Sequence, residues 1–101
     1  MKRIMLICSA GMSTSLLVQK MEAAAKETNV ECKIWASAEA DAKKQLDDVD
    51  ILLLGPQVRF IKDQMIKAIG DRPVKLDVID TMSYGRMDGK AVLKQGLALL
   101  D

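Results

Sequence analysis

The sequence RIMLICSAGMSTSLLVQKM, residues 3–21, determines the expected fold, because two different periodicities meet within it. Arg3 to Cys8 is a short apolar run without polar alternation, which predicts a strand buried on both faces. From Ser13 onward the apolar residues recur at helical spacing. The predicted inward face of this helix comprises Leu17, Met21, Ala24 and Thr28. A buried strand followed directly by a helix is the usual start of a βαβ unit in a parallel sheet.

The rest of the chain continues this alternation of strands and helices. Further strands are predicted over residues 30–36, 50–54 and 74–79, and a short helix over residues 37–48. Residues 58–69 have helical spacing and end at Gly70, a predicted C-terminal cap. Residues 80–89 are predicted to be a polar loop. The last helix is predicted to point Val92, Leu93, Gly96 and Leu100 inward.

This pattern predicts one α/β domain, residues 1–101, with a small four-stranded parallel sheet and helices on both faces. The expected strand order is 2-1-3-4, a flavodoxin-like arrangement resembling that of low-molecular-weight tyrosine phosphatases. In such sheets, ligands bind beyond the carboxyl ends of the strands, where strands 1 and 3 lead in opposite directions. The segments at residues 8–15, 55–59 and 80–88 are therefore expected to meet at one edge.

Composition excludes several classes of function. The chain of 101 residues has a net charge of +1, which gives no electrostatic support for binding nucleic acid or an anionic membrane. No apolar run approaches the roughly 20 residues of a membrane-spanning helix, and the first apolar run is too short for a signal peptide. A cytoplasmic protein is therefore expected. With no histidine in the chain, Ser-His-Asp and Cys-His catalysis are excluded, and no metal site or cofactor is predicted.

Cys8 is the strongest candidate for a reactive residue. It is followed by Ser9, Ala10, Gly11, Met12, Ser13, Thr14 and Ser15. Small side chains at a helix N-terminus allow successive backbone N–H groups to surround an anion. The same groups stabilise a thiolate, so the pKa of Cys8 is expected to lie below that of an ordinary cysteine. Cys8 could instead be a small core residue, and Ser13 and Thr14 could act only as helix caps. Cys32 lies in mid-strand and is interpreted as structural.

A cysteine that ends strand 1, followed by an amide-rich loop, resembles the phosphate-binding loop of low-molecular-weight tyrosine phosphatases. Their loop reads C-x5-R-[ST], and its arginine stabilises the transition state. Here Thr14 occupies the arginine position and Ser15 follows it. The loop therefore lacks the cation on which phosphotyrosine hydrolysis depends.

The stretch CSAGMSTSLLV, residues 8–18, is similar to the IIB component of bacterial sugar phosphotransferase systems, in the lactose/cellobiose family. Two further stretches carry the resemblance: GPQV at residues 55–58 and YGRMDG at residues 84–89. The resemblance extends over essentially the whole chain. The unbroken SAGMSTS run is more similar to the cellobiose/chitobiose branch than to the lactose branch.

The resemblance implies a role for each matching position. Cys8 matches the cysteine that is transiently phosphorylated, and Ser9 to Ser15 match the loop around the phosphoryl group. A phosphohistidine of the IIA component would be the donor. A β-linked disaccharide bound by the membrane IIC component would be the acceptor. The resemblance assigns no role to Gln57, Asp80, Thr81 or Tyr84.

Two other functions remain open from the sequence. One is a low-molecular-weight phosphatase or arsenate-reductase-like thiol enzyme, which would also use Cys8 and its loop. The other is a binding or signalling module in which Cys8 only packs. The face around Ala10 and Met12 is expected to be an apolar docking surface for IIA and IIC.

Overall fold

Four parallel strands form the centre of the computed structural model, in the order β2-β1-β3-β4. The structure describes residues 1–8 and 11–100, and for residues 11–14 it describes the backbone alone. The strands are β1 (Lys2–Ile7), β2 (Cys32–Ser37), β3 (Ile51–Leu54) and β4 (Lys75–Val78). The predicted parallel sheet and its strand order are confirmed.

Helices connect these strands and cover both faces of the sheet. They are α1 (Gly11–Glu27), α2 (Glu39–Ala42), α3 (Lys62–Ile69), α4 (Thr81–Gly85) and α5 (Gly89–Ala98). Two 3-10 helices, Lys43–Asp48 and Pro56–Ile61, precede β3 and α3 respectively. Gly70 ends α3 with a positive φ of 58°, a value that favours glycine.

The central strand β1 separates two hydrophobic layers, because successive side chains of a strand point to opposite faces. Ile4 and Leu6 pack with α1, α5 and Tyr84, which together form the first layer. Met5 and Ile7 pack with α2, α3 and the 3-10 helices, which form the second layer. All four side chains are almost fully buried. The continuous apolar run that predicted a two-sided strand is explained by this arrangement.

Several predicted boundaries differ from those observed. Helix α1 begins at Gly11 rather than at Ser13, and it ends before Thr28, which is exposed. The 80–89 segment is not simply a loop, because it contains α4. Leu100 lies beyond the end of α5 and is 38% exposed, so its predicted inward position is wrong.

Helices α1 and α5 approach each other closely at Gly89. A Cβ atom on Gly89 would lie 2.4 Å from the carbonyl carbon of Lys20 and 2.6 Å from the backbone nitrogen of Met21. Both are backbone atoms and cannot rotate away. The absence of a side chain at position 89 therefore sets how closely α5 packs on α1 within the first layer.

We predict that Gly89→Ala destabilises the fold by about 1–3 kcal/mol, because one of the two helices must shift to accommodate the new methyl group. Gly85→Ala is the matched control, since a Cβ at that position would meet no atom within 4 Å. Urea denaturation monitored by circular dichroism measures both variants. Equal stability of the two variants would show that α5 does not depend on this close approach.

Candidate functional site

Cys8 lies immediately beyond the carboxyl end of β1. At this edge of the sheet, the segments that follow β1 and β3 lead to helices on opposite faces. The register pairs Ile7 with Leu54 in β3 and with Ser37 in β2, so the three strands end nearly level. The thiol is half-buried and packs against the first layer. This is the position that strand alternation dictates, because Leu6 belongs to the same layer.

The hydroxyl group of Tyr84 lies 2.9 Å from Cys8 Sγ, and either atom can be the hydrogen-bond donor. Tyr84 belongs to α4, and its ring is buried in the first layer with only 6% of the residue exposed. A tyrosine in such a position has an apolar ring held by packing and a polar end directed at a partner. Here that partner is the thiol.

The carboxamide of Gln57 is the second polar neighbour of Cys8. Its Oε1 lies 3.9 Å from Sγ, at the long end of hydrogen-bond distances to sulfur. Gly55 provides the space for this arrangement: a Cβ on Gly55 would lie 3.0 Å from Gln57 Oε1 and 3.5 Å from Cys8 Sγ. The Gly55 N–H donates to the Ile7 carbonyl at 2.8 Å, which holds the segment after β3 against the end of β1.

A network of hydrogen bonds fixes α4, and with it Tyr84. Asp80 caps the helix by accepting from the Ser83 N–H at 3.0 Å and from the Ser83 hydroxyl at 3.1 Å. These bonds hold the pKa of Asp80 below its usual value, and the bond from the Ser83 backbone N–H contributes most. Gln95 in α5 accepts from the Asp80 N–H at 2.9 Å and donates to Asp77 and to the Val78 carbonyl. The end of β4 is thus tied to both α4 and α5.

A cavity of about 610 Å³ opens between the segments that follow β3 and β4. Its lining comprises Pro56, Gln57, Arg59, Phe60, Thr81, Tyr84 and Gly85. Two of these residues, Gln57 and Tyr84, are polar neighbours of Cys8. The wall also carries one cation, Arg59, and the Phe60 residue, which is 75% exposed. An exposed aromatic ring in the wall of a cavity is suited to contact with another molecule.

Cys32 lies in a different environment. It begins β2 opposite Lys2 and packs against the first layer near the amino-terminal end of the sheet. Burial raises the pKa of the Cys32 thiol, partly offset by the positive charge of Lys2. The Cys32 thiol is therefore less reactive as a nucleophile at neutral pH than an ordinary cysteine, which agrees with its interpretation as a structural residue.

The structure describes only part of the predicted loop. Ser9 and Ala10 lie outside the described residues, and so do the side chains of Met12, Ser13 and Thr14. The described backbone begins α1 at Gly11, and Ser15 is exposed in that helix. The proposed nest of amides, and the caps at Ser13 and Thr14, therefore remain predictions.

The prediction that three segments meet at one edge is confirmed by the contacts of Cys8 with Gln57 and Tyr84. Sequence reasoning did not assign a role to either residue. The position of each residue in the sequence could have indicated the site. Gln57 follows the carboxyl end of β3, which neighbours β1, and Tyr84 follows the carboxyl end of β4, the next strand in the sheet. Asp80 is a helix cap, as its residue type allowed, and Thr81 contributes to the cavity wall.

Fold and site together define a doubly wound α/β protein with a cysteine at the point where the strand order reverses. Residues 3–95 match the family described as "PTS system, Lactose/Cellobiose specific IIB subunit". The chain belongs to this family of sugar phosphotransferase IIB components, which confirms the predicted resemblance. It is thus a phosphotransferase component that works with IIA and IIC partners in sugar phosphorylation.

Individual relatives support this assignment over nearly the full length. The chain is 43% identical to the oligo-beta-mannoside-specific EIIB component of Bacillus subtilis, covering 99% of this chain and 97% of the relative. It is 45% identical to a galactose-specific EIIB component of Lactococcus lactis, covering 91% of this chain and 90% of the relative. A cellobiose-specific EIIB component of Lactococcus lactis is 44% identical, again covering 91% of this chain and 90% of the relative.

Solved structures agree with the fold. The cellobiose-specific IIB component of Borrelia burgdorferi superimposes with a TM-score of 0.79 at 38% identity, covering 97% of this chain and 90% of that one. The lactose-specific IIB domain of Streptococcus pneumoniae gives a TM-score of 0.88 at 17% identity, covering 99% and 98%, and supports the fold alone. Within the described residues, no helix is long and apolar enough to cross a membrane.

Proposed function

We propose that Cys8 accepts a phosphoryl group from a phosphohistidine of the IIA component and passes it to a sugar bound by the IIC component. The observation that supports this most directly is the placement of Cys8 Sγ at the carboxyl-terminal edge of the sheet, in contact with Gln57 and Tyr84, two residues that also line the cavity. In the loading step the N–P bond of phosphohistidine breaks, and its electron pair returns to the imidazole. The Cys8 thiolate forms the new S–P bond.

The proposal assigns phosphate binding to the loop Ser9–Ser15. The described backbone supports this assignment, because β1 ends at Ile7 and α1 begins at Gly11, so the helix N-terminus follows Cys8 closely along the chain. The first N–H groups of any α-helix have no carbonyl partner within the helix, and such groups favour an anion; α1 is 17 residues long. The absence of histidine from the chain accords with a relay in which the donor imidazole belongs to another protein.

We further propose a β-linked disaccharide of the cellobiose/chitobiose type as the sugar. The support lies in the relatives' specificities, two of which are for β-linked or cellobiose-type sugars, whereas the third is for galactose. Residues 1–101 would act as one IIB domain in the cytoplasm, where IIA is expected to load it. Phosphorylation assays with cellobiose, chitobiose, a β-mannoside and lactose, using IIC-containing membranes, test this choice of sugar; phosphorylation of lactose alone would contradict it.

The first prediction separates the two thiols. We expect Cys8→Ser to abolish acceptance of phosphate from phosphorylated IIA, because the nucleophile is lost. Cys32→Ser should retain acceptance, since Cys32 lies at the other end of the sheet. Intact-mass spectrometry detects the added phosphate, and peptide mapping locates it. Phosphate acceptance by the Cys8→Ser variant would refute the proposal.

A second prediction concerns partner docking. The predicted docking face around Ala10 and Met12 lies outside the described residues, but Phe60 is an exposed apolar side chain on the described wall of the cavity. We expect Phe60→Ser to slow the transfer of phosphate to Cys8 several-fold when phosphorylated IIA is present at limiting concentration. Ile66→Ser is the control, because Ile66 is also exposed, at 48%, but does not line this cavity. Equal loading rates for the two variants would place the docking face elsewhere.

The third prediction distinguishes the relay from a phosphatase. Thr14 cannot supply the cation with which phosphatase loops stabilise the transition state, and binding of the ground state alone does not accelerate hydrolysis. We therefore expect the phosphocysteine to persist in buffer for minutes or longer, and to discharge rapidly when IIC-containing membranes and a suitable sugar are added. Intact mass follows both reactions. Rapid loss in buffer, or steady turnover of an aryl phosphate, would favour a phosphatase.

A further inference from the structure

The contact between Tyr84 and Cys8 identifies a residue that acts on the reacting sulfur. We propose that the Tyr84 hydroxyl donates a hydrogen bond to the Cys8 thiolate and thereby determines how readily the phosphoryl group leaves Cys8. This inference rests on the proposed function, since it concerns the same sulfur. Its direct observations are the 2.9 Å distance between Oη and Sγ and the buried ring that carries Oη.

The geometry suits a donor to a negative sulfur. The ring is held in the first layer, and α4 is held in turn by the Asp80 cap and by Gln95. The hydroxyl therefore loses little freedom when it bonds to the thiolate. Gln57 is a weaker neighbour because its Oε1 lies 3.9 Å away and can only accept. Tyr84 is thus the closer of the two and can act as either donor or acceptor.

The chemistry follows from the charge on sulfur. While Cys8 carries the phosphoryl group, its sulfur is bonded to phosphorus and is a poor acceptor. During discharge the S–P bond breaks, its electron pair goes to sulfur, and phosphorus bonds to the acceptor atom. When the acceptor is the imidazole of IIA, that atom is an unprotonated nitrogen, so no proton has to be transferred. A donor at Sγ stabilises the thiolate product, and hydrogen bonds to charged groups are stronger than those between neutral groups.

The expected consequence is a shift in an equilibrium. Tyr84→Phe removes the hydroxyl and keeps the ring, so the thiolate loses its donor while the first layer stays packed. The pKa of Cys8 should rise by about one unit, which corresponds to a tenfold change. Phosphoryl exchange between IIA and this protein should shift toward phosphocysteine by about the same factor. The shift should disappear at pH values where the thiol is protonated in both proteins.

The first test leaves Tyr84 unchanged and exploits the fact that it is the only tyrosine in the chain. Protein labelled with 13C at the tyrosine Cζ position gives one NMR signal. We expect this signal to titrate with the midpoint of Cys8 alkylation by iodoacetamide, measured in Cys32→Ser to isolate one thiol. The transition should be absent in Cys8→Ser. A signal that does not respond at the thiol midpoint would overturn the inference.

The second test measures the exchange equilibrium for the Cys32→Ser protein with and without Tyr84→Phe, by intact mass against purified IIA. Matched urea denaturation curves verify that both proteins are folded. An exchange equilibrium and an alkylation midpoint that are unchanged by Tyr84→Phe would refute a role for the hydroxyl. If neither protein accepts phosphate at Cys8, the proposed function fails instead, and the NMR titration still decides whether the hydroxyl responds to the thiolate.

Discussion

The pairing of β1 on both sides is the constraint on which the rest of the structure depends. Parallel hydrogen bonding to β2 and to β3 fixes β1 in the middle of the sheet, with apolar layers above and below it. The direction of this strand determines the edge at which Cys8 emerges. Because β3 and β4 run parallel to it, the segments that follow them reach the same edge. The site is therefore a consequence of strand direction before any side chain is considered.

The sequence was sufficient for those parts of the structure that depend on periodicity. Apolar runs and helical spacing predicted the four strands, the long α1 and the edge at which Cys8 would lie. They could not predict α4, since this five-residue helix depends on a cap by Asp80 and on a hydrogen bond that the Asp80 N–H donates to Gln95, fifteen residues further along the chain. Its sequence, TMSYG, has too few apolar positions to show a period.

Tyr84 and Gln57 illustrate a different limit. They lie in the stretches GPQV and YGRMDG that carry the family resemblance, but nothing in the sequence joined either one to Cys8. Their sequence separations from Cys8 are 76 and 49 residues, so only the tertiary fold brings them together. A resemblance to the IIB family could identify the cysteine and its loop, because those residues are contiguous. Neighbours contributed by distant segments require the coordinates.

The alternation of β1 side chains also divides the protein into two halves with different tolerance to change. The thiol and Tyr84 belong to the layer of α1 and α5, whereas α2 and α3 pack on the opposite face, away from them. The segment between β3 and α3 connects the second layer to the thiol through Gln57. A protein engineer could therefore diversify the buried side chains of α3, such as Met65 and Ile69, to adjust thermal stability while the surroundings of the sulfur stay the same.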